Sequence, residues 1–127
     1  MCIMQTSNAT LSSSQWASSD QFMRPDDLIY LEKALESFIW AAINRVSMSG
    51  SMNHQFRFTA AEMGRQRVRD GFVDEVSNFF AAVGAPVTFD AHRSAFVVSI
   101  DLDVVLMNPH QSMAFSTAME LYRAEHG

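Results

Sequence analysis

The stretch from Thr59 to Leu102 constrains the fold most, because it carries a helix start, a helix stop and a hairpin in unbroken succession. Thr59 and Glu62 have the spacing of a capping box, in which each side chain satisfies a backbone donor near the other, so a helix is expected from about Ala60. Val68, Phe72, Val76, Phe79 or Phe80, and Val83 recur at helical spacing and form its buried face. Gly84 accepts a left-handed cap and Pro86 refuses continuation, so the helix ends there. Asp70-Gly71 interrupts the pattern. Glycine costs about 1 kcal/mol against alanine inside a helix, so residues 60–83 form either one long helix or two shorter ones. Val87 and Phe89 then alternate with polar neighbours, Ala91-His92-Arg93-Ser94 makes a turn, and Phe96, Val98, Ile100 and Leu102 alternate again. This is an antiparallel hairpin with one buried face. Two strands alone are marginal in water, so the sheet needs helices, a third strand or a second subunit.

The flanking segments supply these. Pro25-Asp26-Asp27 puts proline and two acids where a first helical turn accommodates a missing N–H and favours negative charge. Leu28, Leu31, Leu35, Ile39, Ala42 and Val46 recur after it at spacings of three and four, with Glu32, Lys33 and Glu36 on the other face. Phe38, Trp40 and Ile43 widen the apolar stripe, so this helix is expected to be buried on two sides or to offer apolar surface to a partner. Residues 47–53 read as a loop, and Phe56 and Phe58 place a short strand over 54–58. Asn108-Pro109-His110-Gln111 opens a last helix with Phe115, Ala118, Met119 and Tyr122 on one stripe. The expectation is α+β: a small two-layer domain over residues 22–127, in the order α-(β)-α-β-β-α, with an antiparallel hairpin packed on helices. Residues 1–21 are rich in Ser, Thr, Asn and Gln, lack an apolar period and read as a flexible arm.

A chain of 127 residues with 48% hydrophobic and 18% charged residues suits one core. No apolar run approaches a membrane span, and the first basic residue is Arg24, so neither membrane insertion nor an export signal is expected. The single cysteine, Cys2, excludes an intramolecular disulfide framework and fits a reducing cytoplasmic compartment. Eight arginines to one lysine is a bias that GC-rich coding produces, as in a bacterium or its phage.

Chemistry-bearing constellations are scarce. His54, His92, His110 and His126 show no ligand spacing, which disfavours zinc. Asp101 and Asp103 share a strand face, but two carboxylates leave most of a divalent cation's coordination unfilled. Cys2 could be an N-terminal nucleophile only with a base that the arm does not provide. No catalytic, cofactor or metal residues are therefore assigned, and no cofactor is expected. Met48 and Met52, in a polar loop, are the methionines placed for adaptable contact; most of those at helical positions read as core filler.

Charge is what remains. The net charge is −5. Arg65, Arg67 and Arg69 concentrate positive charge, and Arg65 and Arg69 would lie one turn apart on one helical face. They read as a solvated, partly ion-paired face or as a patch for an acidic partner. Asp74, Glu75, Asp101 and Asp103 carry the opposite sign, and an acidic surface can dock into a groove that normally receives nucleic acid. The expectation is a non-enzymatic inhibitor or adaptor of the kind anti-CRISPR proteins represent, with Asp74, Glu75, Asp101, Asp103, Arg65 and Arg69 as partner-binding residues. Its partner would be a protein or ribonucleoprotein, and a homodimer is compatible with the hairpin. The alternative is a winged-helix DNA-binding regulator, which the element order suggests. It is disfavoured because the segment that would enter the major groove, Phe72 to Val83, carries no Lys or Arg.

Overall fold

The computed structural model describes residues 23–126. The arm expected over residues 1–21 lies outside them. Helix α1 runs Pro25–Ser49, with proline in its first turn and Gly50 closing it. Gly50 has φ +70°, and a Cβ there would lie 2.5 Å from the Tyr122 ring. Glycine is therefore required twice over at this position, by backbone conformation and by the close approach of the last helix.

Strand β1 covers Asn53–Thr59. The Thr59–Glu62 capping box forms as expected: Thr59 N donates to Glu62 Oε1 at 2.7 Å, and Glu62 N donates to Thr59 Oγ1 at 3.2 Å. It does not open a long helix. It caps a single 3₁₀ turn, Ala61–Met63, closed by Gly64 at φ +78°. Gly64 N bonds to Ala61 O and Arg65 N to Ala60 O, the pair of hydrogen bonds that terminates a helix at a left-handed residue. The segment 64–69 is irregular, and helix α2 occupies Asp70–Ala81. The one-or-two-helix alternative thus resolves into a short turn, a loop and one helix, with Gly71 in the first turn of α2.

Strands β2 (Val87–Asp90) and β3 (Ala95–Asp101) form the expected hairpin. Asp90 Oδ1 accepts from His92 N, and Ser94 takes a positive φ of 48° to turn the chain. The strand order is β1-β3-β2, antiparallel throughout, so β1 is the third strand that the hairpin requires. Helix α3, Pro109–His126, starts on a second capping box in which Asn108 and Gln111 exchange hydrogen bonds of 3.0 and 2.8 Å.

The three-stranded sheet buries one face against α1 and α2. Phe38 of α1 stacks on Phe56 of β1 at 4.9 Å, while Phe72 and Phe80 of α2 meet Phe96 and Phe58. Phe58, Phe72, Phe80, Phe96, Val98 and Ile100 are buried at the centre. The other face presents Gln55, Arg57, Thr88 and Ser99, the alternate positions of the same strands. α3 packs along α1, their C-terminal ends meeting at Gly50 and Tyr122. The wide apolar stripe of α1 is thereby covered from two directions. Met52 packs against the core, whereas Met48 is exposed in the last turn of α1 rather than in a loop. Among the described residues, no helix is long and apolar enough to cross a membrane.

Candidate functional site

Asp27 occupies the third position of α1, set there by Pro25, and its carboxylate turns inward until its side chain is 2% exposed. Its Oδ2 accepts from the Arg24 backbone N at 2.9 Å and from Arg65 Nη2 at 2.6 Å. Arg65, whose side chain is only 9% exposed, also lies with its guanidinium carbon 4.0 Å from the centre of the Phe72 ring. Burial pushes the Asp27 carboxyl up, but the Arg65 hydrogen bond, the Arg24 backbone N–H and the charges of both arginines outweigh it and hold the group below the usual 3.8. The carboxylate is therefore ionised at neutral pH. This pair pins the 64–69 loop to the start of α1.

That geometry corrects the placement of Arg65 and Arg69 on one helical face. Neither lies in the interior of a helix: Arg65 is in the loop and faces inward, and Arg69 is exposed as the cap residue of α2. A long side chain can leave a surface cluster when a buried carboxylate and an aromatic face offer more than water does. Arg67 is exposed in the same loop.

The acidic residues sit in two places. Asp74 and Glu75 are exposed in the first half of α2 and take part in no salt bridge among the described residues. Asp101 ends β3, where its Oδ1 accepts from Asp103 N at 2.9 Å. Asp103 is exposed beside a shallow cleft lined by Met52, Phe115, Met119 and Arg123. The turn after β3 puts Val104 against Gly84, at the C-terminal end of α2. Asp74 and Glu75 lie about two helical turns away, so the four carboxylates form two surfaces rather than one. Among the described residues, no three His, Cys, Asp or Glu side chains gather to hold a metal ion. Cys2 lies outside the described residues.

Sequence reasoning missed the role of Asp27. An acid in a first turn is legible as a complement to the helix dipole, but its pairing with Arg65, thirty-eight positions on, is a tertiary fact. Comparison with protein-family profiles, with curated proteins and with solved structures finds no match to this chain.

Proposed function

We propose that this protein works without catalysis, as a small inhibitor or adaptor of phage or mobile-element type, anti-CRISPR-like in mode, whose acidic surface occupies a basic site on another macromolecule. The observation that carries this reading is α2. Its exposed Asp74 and Glu75 are unengaged by cations among the described residues, and the helix has no Lys or Arg to offset them. Unpaired carboxylates on a rigid element steer association with a cationic groove and cost little to desolvate at its rim. The Asp101–Asp103 turn supplies a second acidic contact, although Asp101 also shapes the turn itself.

The test is affinity capture from the native host with the tagged full chain and with the Asp74→Lys, Glu75→Lys double variant, partners being identified by mass spectrometry. A partner retained by the parent should be weakened by about fivefold per reversed charge. Equal retention by the variant, with its circular dichroism unchanged, sinks the reading.

A winged-helix DNA-binding regulator is the second reading, and the strand order β1-β3-β2 supports it, with the β2–β3 hairpin as the wing and Arg93 exposed in its turn. The helix expected before the recognition helix is here one 3₁₀ turn. A gel shift at moderate salt that Arg67→Ala and Arg93→Ala abolish would favour it; no shift with any DNA would remove it. Arg65 is unsuitable for that test because its substitution disturbs the buried pair.

A further inference from the structure

The hydrogen-bond phase of β1 can be read from its two ends. Ala60 N donates to Ser94 O and Leu102 N to Met52 O, and both contacts continue the β1–β3 register. Antiparallel pairing alternates, so His54, Phe56 and Phe58 direct their backbone groups to β3, while Asn53, Gln55, Arg57 and Thr59 direct theirs to the open side. Two of these outward groups are already occupied. Glu62 Oε1 accepts from Thr59 N at 2.7 Å, and Ser51 Oγ donates to Asn53 O at 3.2 Å. Among the described residues, Gln55 and Arg57 remain open at both groups, each presenting an outward N–H and C=O in the middle of a strand at the edge of the described sheet.

Beside this window, α1 and the edge border a groove of about 390 Å³ whose lining includes Tyr30, Lys33, Phe38, Arg57, Phe58 and Glu62. Its floor is aromatic, and its lip carries two cations, Lys33 and Arg57, against one carboxylate, Glu62, whose Oε1 is held by the Thr59 N–H, an excess of positive charge in a protein of net charge −5. Lys33 and Arg57 enter no salt bridge among the described residues, and Arg45, farther along α1, lies 4.5 Å above the Phe56 ring on the same strand. Burial, and then the nearby Glu62, push the Tyr30 phenol above 10.0, so its hydroxyl stays a donor at neutral pH.

We propose that this groove binds an acidic, extended segment of a partner protein, which adds to the sheet beside β1. Main-chain hydrogen bonds to Gln55 and Arg57 would supply affinity and direction, as in strand addition generally. Side chains of the segment on the helix side would fall on Phe38 and Phe58, with Lys33 at the rim of that side, and the intervening acids, on the open face, would meet Arg57. A second copy of this chain is a poor occupant, because pairing two β1 edges through this window brings like charges together. The proposal is independent of the acidic face on α2, which packs against β2 at the other edge of the sheet.

The probe is a capped peptide of alternating valine and glutamate, titrated into the full chain and followed by amide NMR. Saturable shifts of the Gln55 and Arg57 amides, with slowed hydrogen exchange, are expected. N-methylating the peptide backbone, or replacing its glutamates by lysines, should abolish them. Gln55→Pro removes one outward N–H without touching the β1–β3 ladder, and should weaken binding about tenfold. Should that variant fold poorly, Arg57→Glu on the open face of the edge strand should still weaken binding about three- to fivefold. No saturable shift at these amides by millimolar peptide, equal binding of the lysine peptide, or Gln55 and Arg57 amides already protected in a dimer of the free protein would each overturn the proposal.

Discussion

Two capping boxes in this molecule have the same hydrogen bonds and opposite outcomes. At Asn108 and Gln111 the reciprocal bonds of 3.0 and 2.8 Å open the eighteen-residue helix α3. At Thr59 and Glu62 the bonds of 2.7 and 3.2 Å open a turn of three residues. The difference lies in the residues downstream of each box. Pro109 is preorganised for a helix and no glycine interrupts the next seventeen positions, whereas Gly64 stands five residues after Thr59 and adopts the left-handed conformation. Beyond Gly64, Arg65 finds Asp27 and Phe72 in the interior, contacts it would lose on the surface of a continuing helix. A capping box thus fixes where a helix can start, and tertiary contacts decide whether it continues.

The most damaging way to break this arrangement is Arg65→Ala. It leaves Asp27 as a buried carboxylate without its principal cation, and breaking a buried pair from one side costs about 3–5 kcal/mol. Urea denaturation should show a lower midpoint, with the loss concentrated in the 64–69 loop by hydrogen exchange. Replacing both partners with well-packed apolar residues should cost far less, since no orphaned charge remains. A single substitution that costs under about 1 kcal/mol would show that the loop is held by other contacts.

Acid titrates the same contact without mutation. The folded-state carboxyl of Asp27 is held below its usual 3.8. Its contribution is therefore fully present above the unfolded value and is lost as pH falls through the folded one. Stability measured from neutral pH downward should decline below about pH 4 in the parent, and the Asp27→Asn variant should lack that component. Identical slopes in the two proteins would remove Asp27 from the account.

Much of the fold was legible in the sequence. Pro25, Gly84 with Pro86, Asn108 with Pro109, and the alternation from Val87 to Leu102 each mark a local event enforced by local chemistry, and each lies where those residues place it. Gly64 carried the same kind of signal. The hydrogen bonds that end α2, Gly84 N to Ala81 O and Ala85 N to Phe80 O, repeat those at Gly64 and Arg65. Reading Gly64 as a stop would have ended the first helix at once and moved Arg65 and Arg69 off a shared face. The inward turn of Arg65 had no comparable local mark, because its partner lies in another helix. Nor did the open window on β1, which depends on the phase of its pairing with β3.

A milder intervention sharpens the comparison from the other box. Asn108→Ala removes the acceptor for Gln111 N at the start of a long helix, in a partly buried setting. The expected loss is about 1–2 kcal/mol, the upper range for a cap. It should appear as fraying of the first turn of α3 by hydrogen exchange, while the contact of Tyr122 with Gly50 at the far end persists.

Thr59→Ala is the smallest change and the most direct test of the principle. It removes the hydroxyl that accepts from Glu62 N, an exposed bond of 3.2 Å, but leaves Glu62 Oε1 on the Thr59 backbone N–H at 2.7 Å. Only one 3₁₀ turn depends on the lost bond, and water can replace it. The expected cost is about 0.5 kcal/mol or less, below that of Asn108→Ala despite the matching motif. If the two substitutions cost the same in thermal denaturation, cap strength would be a property of the box alone. If Thr59→Ala is the milder, a cap is worth what the helix behind it is worth, and the loop from Gly64 to Arg69 is held from within by Arg65 rather than from its start.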